Sequence, residues 1–213
     1  SQFYINTIMT MNIVDYCNTS NVRNLFFASS VYVYSGSAKK KFKENDHLYP
    51  EEILGSSKLS SELILKAWSQ SLKTKIIIMR FFTVYGKNAN LSQFIPRTIK
   101  KIENAKKNIS FLDNNISRDF IHIDDVTDII LRITHNLHKI NDKFFIINIG
   151  NGKKIKILFI IKTLVSLINP KLKLNLIPQK NLAKGDHNHC ADITKLKNLG
   201  YKQSVSIKDG LKL

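Results

Sequence analysis

The chain has 213 residues, 43% of them hydrophobic, which is enough to bury the core of one large domain or one and a half. The formal charge of +17 is spread along the chain and lysine outnumbers arginine 28 to 5, which disfavours a dedicated nucleic-acid surface. No apolar run reaches the roughly 20 residues of a membrane span, and Cys17 and Cys190 are the only cysteines, so we expect a cytoplasmic protein that binds neither nucleic acid nor membrane.

Apolar runs rich in β-branched and aromatic residues alternate with amphipathic stretches at helical spacing, which is typical of a parallel sheet covered by helices. The predicted helices are residues 3–17, 56–71, 92–105, 124–137 and 155–168. The predicted strands are residues 24–29, 75–81, 109–112, 119–123, 144–149 and 172–177. This order indicates an α/β fold with a doubly wound parallel sheet.

The first predicted helix, residues 3–17, leads into the strand at 24–29 with no strand before it. A doubly wound nucleotide-binding fold opens with a strand and a glycine-rich turn whose amides approach a pyrophosphate. The string Gly-x-x-Gly-x-x-Gly does not occur in the sequence. Two interpretations stay open: the chain is a piece of a longer protein, or its cofactor half has been lost.

Two serines, Ser29 and Ser30, mark the end of the first predicted strand. Ser30 follows this strand directly, and the carboxyl ends of parallel strands are where open α/β sheets bind ligands. A hydroxyl at this position can hydrogen-bond a substrate hydroxyl. The alternative is a strand-end serine that satisfies its own backbone.

The string PEEILGSSK at residues 50–58 places Leu54 four residues before Lys58. Positions i and i+4 share one helix face, so a tyrosine and a lysine at this spacing would present adjacent head groups. The ammonium would favour the phenolate and make it usable as a base near neutral pH. Leucine has no such chemistry, and Lys58 alone would be an ordinary solvated lysine.

Two other tyrosines lie near these segments. Tyr49 is nine residues before Lys58, too far to share a helical face with it, and Tyr34 lies just beyond Ser30. We expect neither to supply a phenol beside Lys58.

Two further strings follow in the middle of the chain. The string RFFTVYG at residues 80–86 is a predicted strand followed by a glycine turn, and RDFIHIDDV at 118–126 leads from a strand into a helix. Asp124 is expected to be the helix N-cap and Asp125 to favour the helix start electrostatically. His122 is either a satisfied core histidine or a proton-transfer group.

A cluster of potential zinc ligands lies near the carboxyl end. Its members are Asp186, His187, His189 and Cys190. They are bunched within five residues without a second, distant pair, which disfavours a zinc site.

Taken together, these strings resemble the signatures of the NAD-dependent epimerase/dehydratase family, the extended short-chain dehydrogenases/reductases. The similar strings, in the family's order, are FFASSVYVY at residues 26–34, then 50–58, 80–86 and 118–126, and finally the glycine- and aspartate-containing segments at 148–152, 185–186, 191–195 and 199–201. The resemblance runs from Asn6 to Leu211 and is greatest to nucleotide-sugar epimerases of the UDP-glucuronate and UDP-glucose 4-epimerase type.

The resemblance implies NAD as cofactor and a UDP-sugar as partner, with chemistry through a 4-keto intermediate. It implies that Lys58 holds the nicotinamide ribose and lowers the phenol's pKa, with Phe82 near the same ribose. Leu54 stands at the position of the family's catalytic tyrosine.

On the substrate side, the resemblance implies that Ser30 orients the sugar hydroxyl and that Thr83 lies near the substrate. It implies that Arg118 contacts the substrate diphosphate and that Asp186 lies near the nucleotide ribose.

The resemblance also implies how the chain is divided. Residues 1–87, joined by 119–149, would be the carboxyl-terminal part of a Rossmann NAD-binding domain whose first βαβ units are missing. Residues 88–118 and 150–213 would form a smaller substrate lobe. A homodimer through the helices at 3–17 and 56–71 is expected by resemblance only.

Three functions are compatible with the sequence: a nucleotide-sugar epimerase or dehydratase, a catalytically degenerate sugar-nucleotide-binding or interaction protein of the same fold, and a basic nucleic-acid-binding domain. Leu54 and the missing glycine string favour the second over the first. The retained Ser30, Lys58, Arg118 and Asp186 favour the first.

Overall fold

The computed structural model describes residues 2–34, 41–113, 116–178 and 188–212. The helices are α1 (Gln2–Thr19), α2 (Ile53–Trp68), α3 (Phe94–Glu103), α4 (Ile123–His135), α5 (Ile157–Ile168), α6 (Thr194–Asn198) and α7 (Ile207–Gly210). The strands are β1 (Asn24–Ser30), β2 (Lys75–Phe81), β3 (Thr83–Tyr85), β4 (Asn108–Asp113), β5 (Ser117–His122), β6 (Phe144–Ile149), β7 (Lys154–Lys156) and β8 (Lys173–Pro178). Short 3-10 helices follow β1 at Val31–Val33 and α4 at Leu137–Lys139.

All the helices and strands expected from periodicity are present, with ends that shift by up to three residues. The short elements β3, β7, α6 and α7 were not predicted, because three to five residues are too few to show a period. Within the described ranges, no helix is both long and apolar enough to cross a membrane.

The main sheet is parallel, with strand order β1-β2-β6. Side chains of the central strand alternate between its faces: Ile76 and Ile78 pack in one cluster with residues of α1 and α2, while Ile77 and Met79 pack in another with α4. Because helices cover both faces, the sheet is doubly wound, and the α/β fold class is confirmed.

A smaller α/β lobe has its own core. The parallel pair β4 and β8 lies with α3 and α5 around Ile102, Ile109, Ile160 and Leu164, all buried. A third small sheet has the order β3-β5-β7, in which β5 is parallel to β3 and antiparallel to β7. Strand β5 therefore runs between the cores, with Phe120 packed in the core of the lobe and Ile121 in that of the main sheet.

The start of α4 differs from the expectation. The N-cap is His122, whose Nδ1 accepts the Asp124 N–H at 3.3 Å, so the assignment of Asp124 as N-cap is wrong. Asp124 and Asp125 occupy the first turn, where negative charge is favourable. Asp125 is buried and accepts from both the backbone N–H and the hydroxyl of Ser204. This carboxylate anchors the carboxyl-terminal segment.

Candidate functional site

A cavity of about 500 Å³ lies where the carboxyl ends of β1 and β2 meet the start of α2 and strand β5. Its lining includes most of the residues singled out from the sequence: Ser30, Leu54, Phe82, Thr83 and Arg118. The position agrees with the rule that open α/β sheets bind ligands beyond the carboxyl ends of their strands.

Ser30 has a structural role at this edge. Its side chain caps the 3-10 helix Val31–Val33 by accepting the N–H of Tyr32 at 3.3 Å. The serine therefore satisfies nearby backbone, as the alternative interpretation held, and it also lines the cavity. The cap fixes Ser30 and Tyr32 relative to each other.

Leu54 is held against the same 3-10 turn by its neighbour Gly55. A Cβ atom added at Gly55 would overlap the carbonyl oxygen of Tyr32, so only glycine permits this approach of α2 to the turn. Leu54 and Tyr32 both line the cavity and both are half-buried.

Lys58 lies one helical turn beyond Leu54 and outside the lining of the cavity. Its ammonium donates to the Ala28 carbonyl at 2.9 Å and lies 5.2 Å from the centre of the Phe27 ring. Partial burial lowers the pKa of Lys58. Its positive charge therefore sits beside β1, next to the cavity.

The two tyrosines considered from the sequence do not line the cavity. The hydroxyl of Tyr34 donates to Asn148 Oδ1 at 2.7 Å and accepts from Arg80 at 3.0 Å. Burial raises the pKa of Tyr34 to about 12. Tyr49 is 63% exposed.

A second cavity, of about 770 Å³, adjoins the first, because Phe94, Arg97 and Arg118 line both. Lys101 also lines it, donating to the Ser110 carbonyl at 2.6 Å and lying 4.2 Å from the centre of the Phe111 ring. Cationic side chains at the junction of the two cavities and in the second cavity suit an anionic ligand.

Sequence reasoning identified Arg118 in this region but missed Phe94, Arg97 and Lys101. The available signal was the string FIPRTIKK at residues 94–101. Its arginine and lysines lie on the face of α3 opposite the buried Ile95 and Ile102.

A buried polar network lies beside the first cavity. Arg80 donates to both oxygens of Glu62, at 3.1 and 2.7 Å, and Ser29 donates to the same carboxylate at 2.5 Å. The guanidinium also lies over the Tyr34 ring, at 4.9 Å from its centre. This network joins β1, β2 and α2 and fixes the edge at which the cavity opens.

Asp119 in the RDF string is a second buried polar centre. It accepts the backbone N–H groups of Asn151, Gly152 and Ala191 at 2.8, 2.8 and 3.0 Å. Burial raises the pKa of Asp119 to about 6. Its neighbour Arg118 points to the cavities, whereas Asp119 connects β5 to the carboxyl-terminal segments.

The remaining sequence candidates are only partly covered by the structure. Asp186 and His187 lie outside the described residues. His189 lines the first cavity, and burial raises the pKa of Cys190 to about 11. Within the ranges that the structure describes, no three potential ligands are grouped to hold a metal ion.

Comparison with known proteins assigns the class of protein. Residues 1–150 match the NAD dependent epimerase/dehydratase family, and the chain belongs to this family. The resemblance noted in the sequence is thereby confirmed, and NAD is the cofactor that the family's description names.

The individual similarities extend over nearly the whole chain. The chain is 33% identical over 210 residues to the uncharacterized protein MJ1055 of Methanocaldococcus jannaschii, covering 97% of this chain and 62% of that protein. It is 31% identical to a UDP-glucuronate 4-epimerase of Thermodesulfobacterium geofontis, with 95% and 61% covered. The chain thus spans less than two thirds of the length of these relatives.

A solved structure gives the same result. The UDP-glucuronic acid 4-epimerase of Bacillus cereus, in complex with UDP-4-deoxy-4-fluoro-glucuronic acid and NAD, is 26% identical with a TM-score of 0.79. The match covers 97% of this chain and 65% of that one.

Proposed function

We propose that the full-length protein is an NAD-dependent nucleotide-sugar epimerase or dehydratase that acts on a UDP-sugar at the joined cavities. The observation that carries this proposal is the convergence of Ser30, Leu54, Thr83 and Arg118, from four separate segments, on one cavity. When bound, NAD would accept a hydride from the sugar, which passes through a 4-keto form, and would later return it.

The cofactor would lie on the β1 and β2 side. Phe82 is buried and offers a flat apolar wall, and Lys58 lies beside β1, within reach of a ribose that approaches this edge. The cavity combines apolar walls with a few hydrogen-bonding groups, which suits a nicotinamide ring. In this arrangement, Lys58 orients the ribose and Phe82 excludes water.

The substrate would extend from the first cavity into the second. Arg118, which lines both, would bind the diphosphate with its planar set of donors, and Arg97 lies at the same junction. Ser30 and Thr83 would then face the sugar. Asp186 remains our candidate for the nucleotide ribose.

The division of the chain follows from this placement. Residues 1–87 and 119–149 would hold NAD, and residues 88–118 and 150–213 the nucleotide-sugar. The separate cores of the main sheet and of the smaller lobe support this division. The exposed apolar side chains of Ile5, Met9 and Tyr16 on α1 support a homodimer through α1 and α2, which the molar mass from light scattering tests.

A second candidate function is a sugar-nucleotide-binding protein without turnover. Leu54 is the observation that favours it, because a leucine cannot take up the proton that accompanies hydride removal. The two candidates share one ligand and differ only in whether hydride moves.

The test of binding is a calorimetric titration of the full-length protein with UDP-glucuronic acid and UDP-glucose in the presence of NAD. Replacing Arg118→Met is expected to weaken binding at least about tenfold, since a charge-assisted contact to the diphosphate is lost. The matched control is Arg132→Met, because Arg132 lies in an exposed ion pair with Asp128 away from both cavities. Equal affinities of the two variants would contradict the site.

Two further measurements on the same protein distinguish the candidate functions. Appearance of reduced nicotinamide after mixing with UDP-sugar distinguishes an enzyme from a binding protein. Salt-sensitive binding to arbitrary duplex DNA that UDP-sugars do not displace would favour a nucleic-acid-binding protein instead.

A further inference from the structure

We propose that Tyr32 supplies the phenol that Leu54 cannot, as the group that accepts the proton of the sugar hydroxyl. This inference rests on the proposed function, and it goes beyond the sequence strings, in which Tyr32 is only a residue between Ser30 and Tyr34. It assigns the proton-accepting group to the strand end rather than to the helix.

The position of Tyr32 carries the inference. Tyr32 lines the first cavity together with Leu54, and the close approach of Gly55 to the Tyr32 carbonyl makes the two residues neighbours. The ring of Tyr32 meets the ring of His189 edge-on, with 5.6 Å between the centres, and His189 also lines the cavity. The side chain of Tyr32 therefore lies along the cavity wall next to His189, and its backbone lies next to the start of α2, where Leu54 stands.

The hydroxyl groups of the other two tyrosines near the site are held by other residues. Tyr85 also lines the cavity, but it is only 3% exposed and its hydroxyl packs against Gly210, where an added Cβ would overlap it. Burial raises the pKa of Tyr85 to about 12. Tyr34 is held by Arg80 and Asn148. Among the described residues that line the cavity, Tyr32 is thus the partly open phenol.

The surroundings of Tyr32 suit the task. Its backbone N–H is bound by Ser30 Oγ, so the residue that would orient the sugar hydroxyl and the one that would take its proton are fixed to each other. Arg97 and Arg118 line the same cavity and stabilise negative charge that develops there.

Before the step, the Tyr32 hydroxyl gives its proton to solvent. The O–H bond of the sugar hydroxyl then breaks and its proton forms a new O–H bond with the Tyr32 oxygen. The hydrogen on the same carbon leaves with its bonding electrons as hydride to NAD, so the alcohol is oxidised to a ketone and NAD is reduced. Return of hydride and proton reverses both changes.

The experiment uses the full-length protein and four variants. Tyr32→Phe removes the hydroxyl, and Tyr49→Phe is the matched control at an exposed tyrosine. Leu54→Tyr returns a phenol to the helix, alone and combined with Tyr32→Phe. Formation of reduced nicotinamide is measured with UDP-glucuronic acid, alongside its affinity by calorimetry. A third measurement is acetylation of tyrosines by N-acetylimidazole, followed by mass spectrometry of peptides.

Tyr32→Phe is expected to slow hydride transfer by about 100-fold or more while the affinity changes by less than about threefold. The Tyr49→Phe variant is expected to match the unaltered protein, and the double variant to regain most of the rate. UDP-glucuronic acid is expected to protect Tyr32, but not Tyr49, from acetylation.

Three results would overturn the inference. The first is an undiminished rate in Tyr32→Phe, and the second is an equal loss of rate and affinity, which would indicate a structural role. The third is an unaltered protein that binds UDP-glucuronic acid without forming reduced nicotinamide and gains turnover on Leu54→Tyr alone, which would favour the second candidate function, a binding protein. Failure of the unaltered protein to bind UDP-sugar would instead overturn the proposed function, and the inference with it.

Discussion

Glu62 and Asp119 are both buried carboxylates, and the structure compensates their charges differently. Glu62, on α2, faces the guanidinium of Arg80 and the hydroxyl of Ser29. Asp119, on β5, faces three backbone N–H groups. An ion pair opposes charge with charge, whereas backbone amides offer only dipoles, and burial raises the pKa of Asp119 to about 6.

Each of the two carboxylates holds strands that line the first cavity. The Glu62 network fixes the edge of the main sheet, where the first cavity opens. The Asp119 centre fixes the strand that carries Arg118 and the segments that return from the smaller lobe. Each can be tested separately, because the two centres share no hydrogen-bonded residue in the described parts of the chain.

The largest effect is expected for Glu62→Leu. It leaves the Arg80 guanidinium buried without its counter-charge, which costs about 3–5 kcal/mol of the free energy of unfolding. Urea denaturation measures this loss. The control is Asp128→Ala, which breaks an exposed ion pair with Arg132 and costs less than about 1 kcal/mol. Similar losses of unfolding free energy in both variants would show that the buried ion pair stabilises the fold no more than the exposed one.

The next effect is expected for Asp119→Asn. The amide group turns a donor toward backbone N–H groups that need acceptors, which costs about 2–4 kcal/mol. The exposed residue Asp142 offers the matched control, Asp142→Asn, which should change stability by less than about 0.5 kcal/mol. An Asp119→Asn variant with unchanged stability would contradict the anchoring role of this carboxylate.

The third effect is a pH dependence. The pKa of Asp119 is raised from 3.8 to about 6 by folding, so between these values the folded chain holds a proton that the unfolded chain has released. Stability from this group is therefore full at about pH 4 and falls as the pH rises to about 6, by about 1–3 kcal/mol. The stability gap between the unaltered protein and Asp119→Asn should shrink over this range. A stability difference that grows from pH 4 to pH 6 would contradict the raised pKa of Asp119.

The smallest effect concerns Cys190, which lies close to Asp119. Burial, and then the charge of Asp119, raises the pKa of Cys190 to about 11, so its thiolate is scarce at neutral pH. In a Cys17→Ser background, iodoacetamide should label the native protein slowly and the urea-unfolded protein rapidly. Equal rates would show that the thiol is accessible in the folded protein.

Much of the fold could be predicted because it follows from local patterns. Strands such as Lys75–Phe81 contain an apolar run, here residues 76–79, and helices such as α4 show clear periodicity. The two buried carboxylates could not be identified in this way. Glu62 lies on an ordinary helical segment, and its partner Arg80 is one of two charged residues in a largely apolar strand. Their pairing depends on how β2 and α2 pack, which no local pattern records.

The residues of the first cavity likewise include some that local sequence patterns predict and others that depend on packing. Ser30, Thr83 and Arg118 could be proposed because they stand in recognisable strings. Tyr32 could not be proposed from the sequence, because in its string only Ser30 and Tyr34 match the family's pattern. Its position relative to Leu54 depends on the contact between Gly55 and the 3-10 turn, which only the folded structure shows. Helical spacing predicts that Lys58 lies one turn after Leu54. The bond of its ammonium to the Ala28 carbonyl depends on how α2 packs against β1, which no local pattern predicts.

A crystal structure of the full-length protein with NAD and UDP-glucuronic acid would show where both ligands bind. We expect the diphosphate against Arg118 at the junction of the two cavities, and a sugar hydroxyl within about 2.6–3.2 Å of the Tyr32 oxygen. A nucleotide-sugar bound outside the cavities lined by Arg118 and Tyr32 would contradict this expectation.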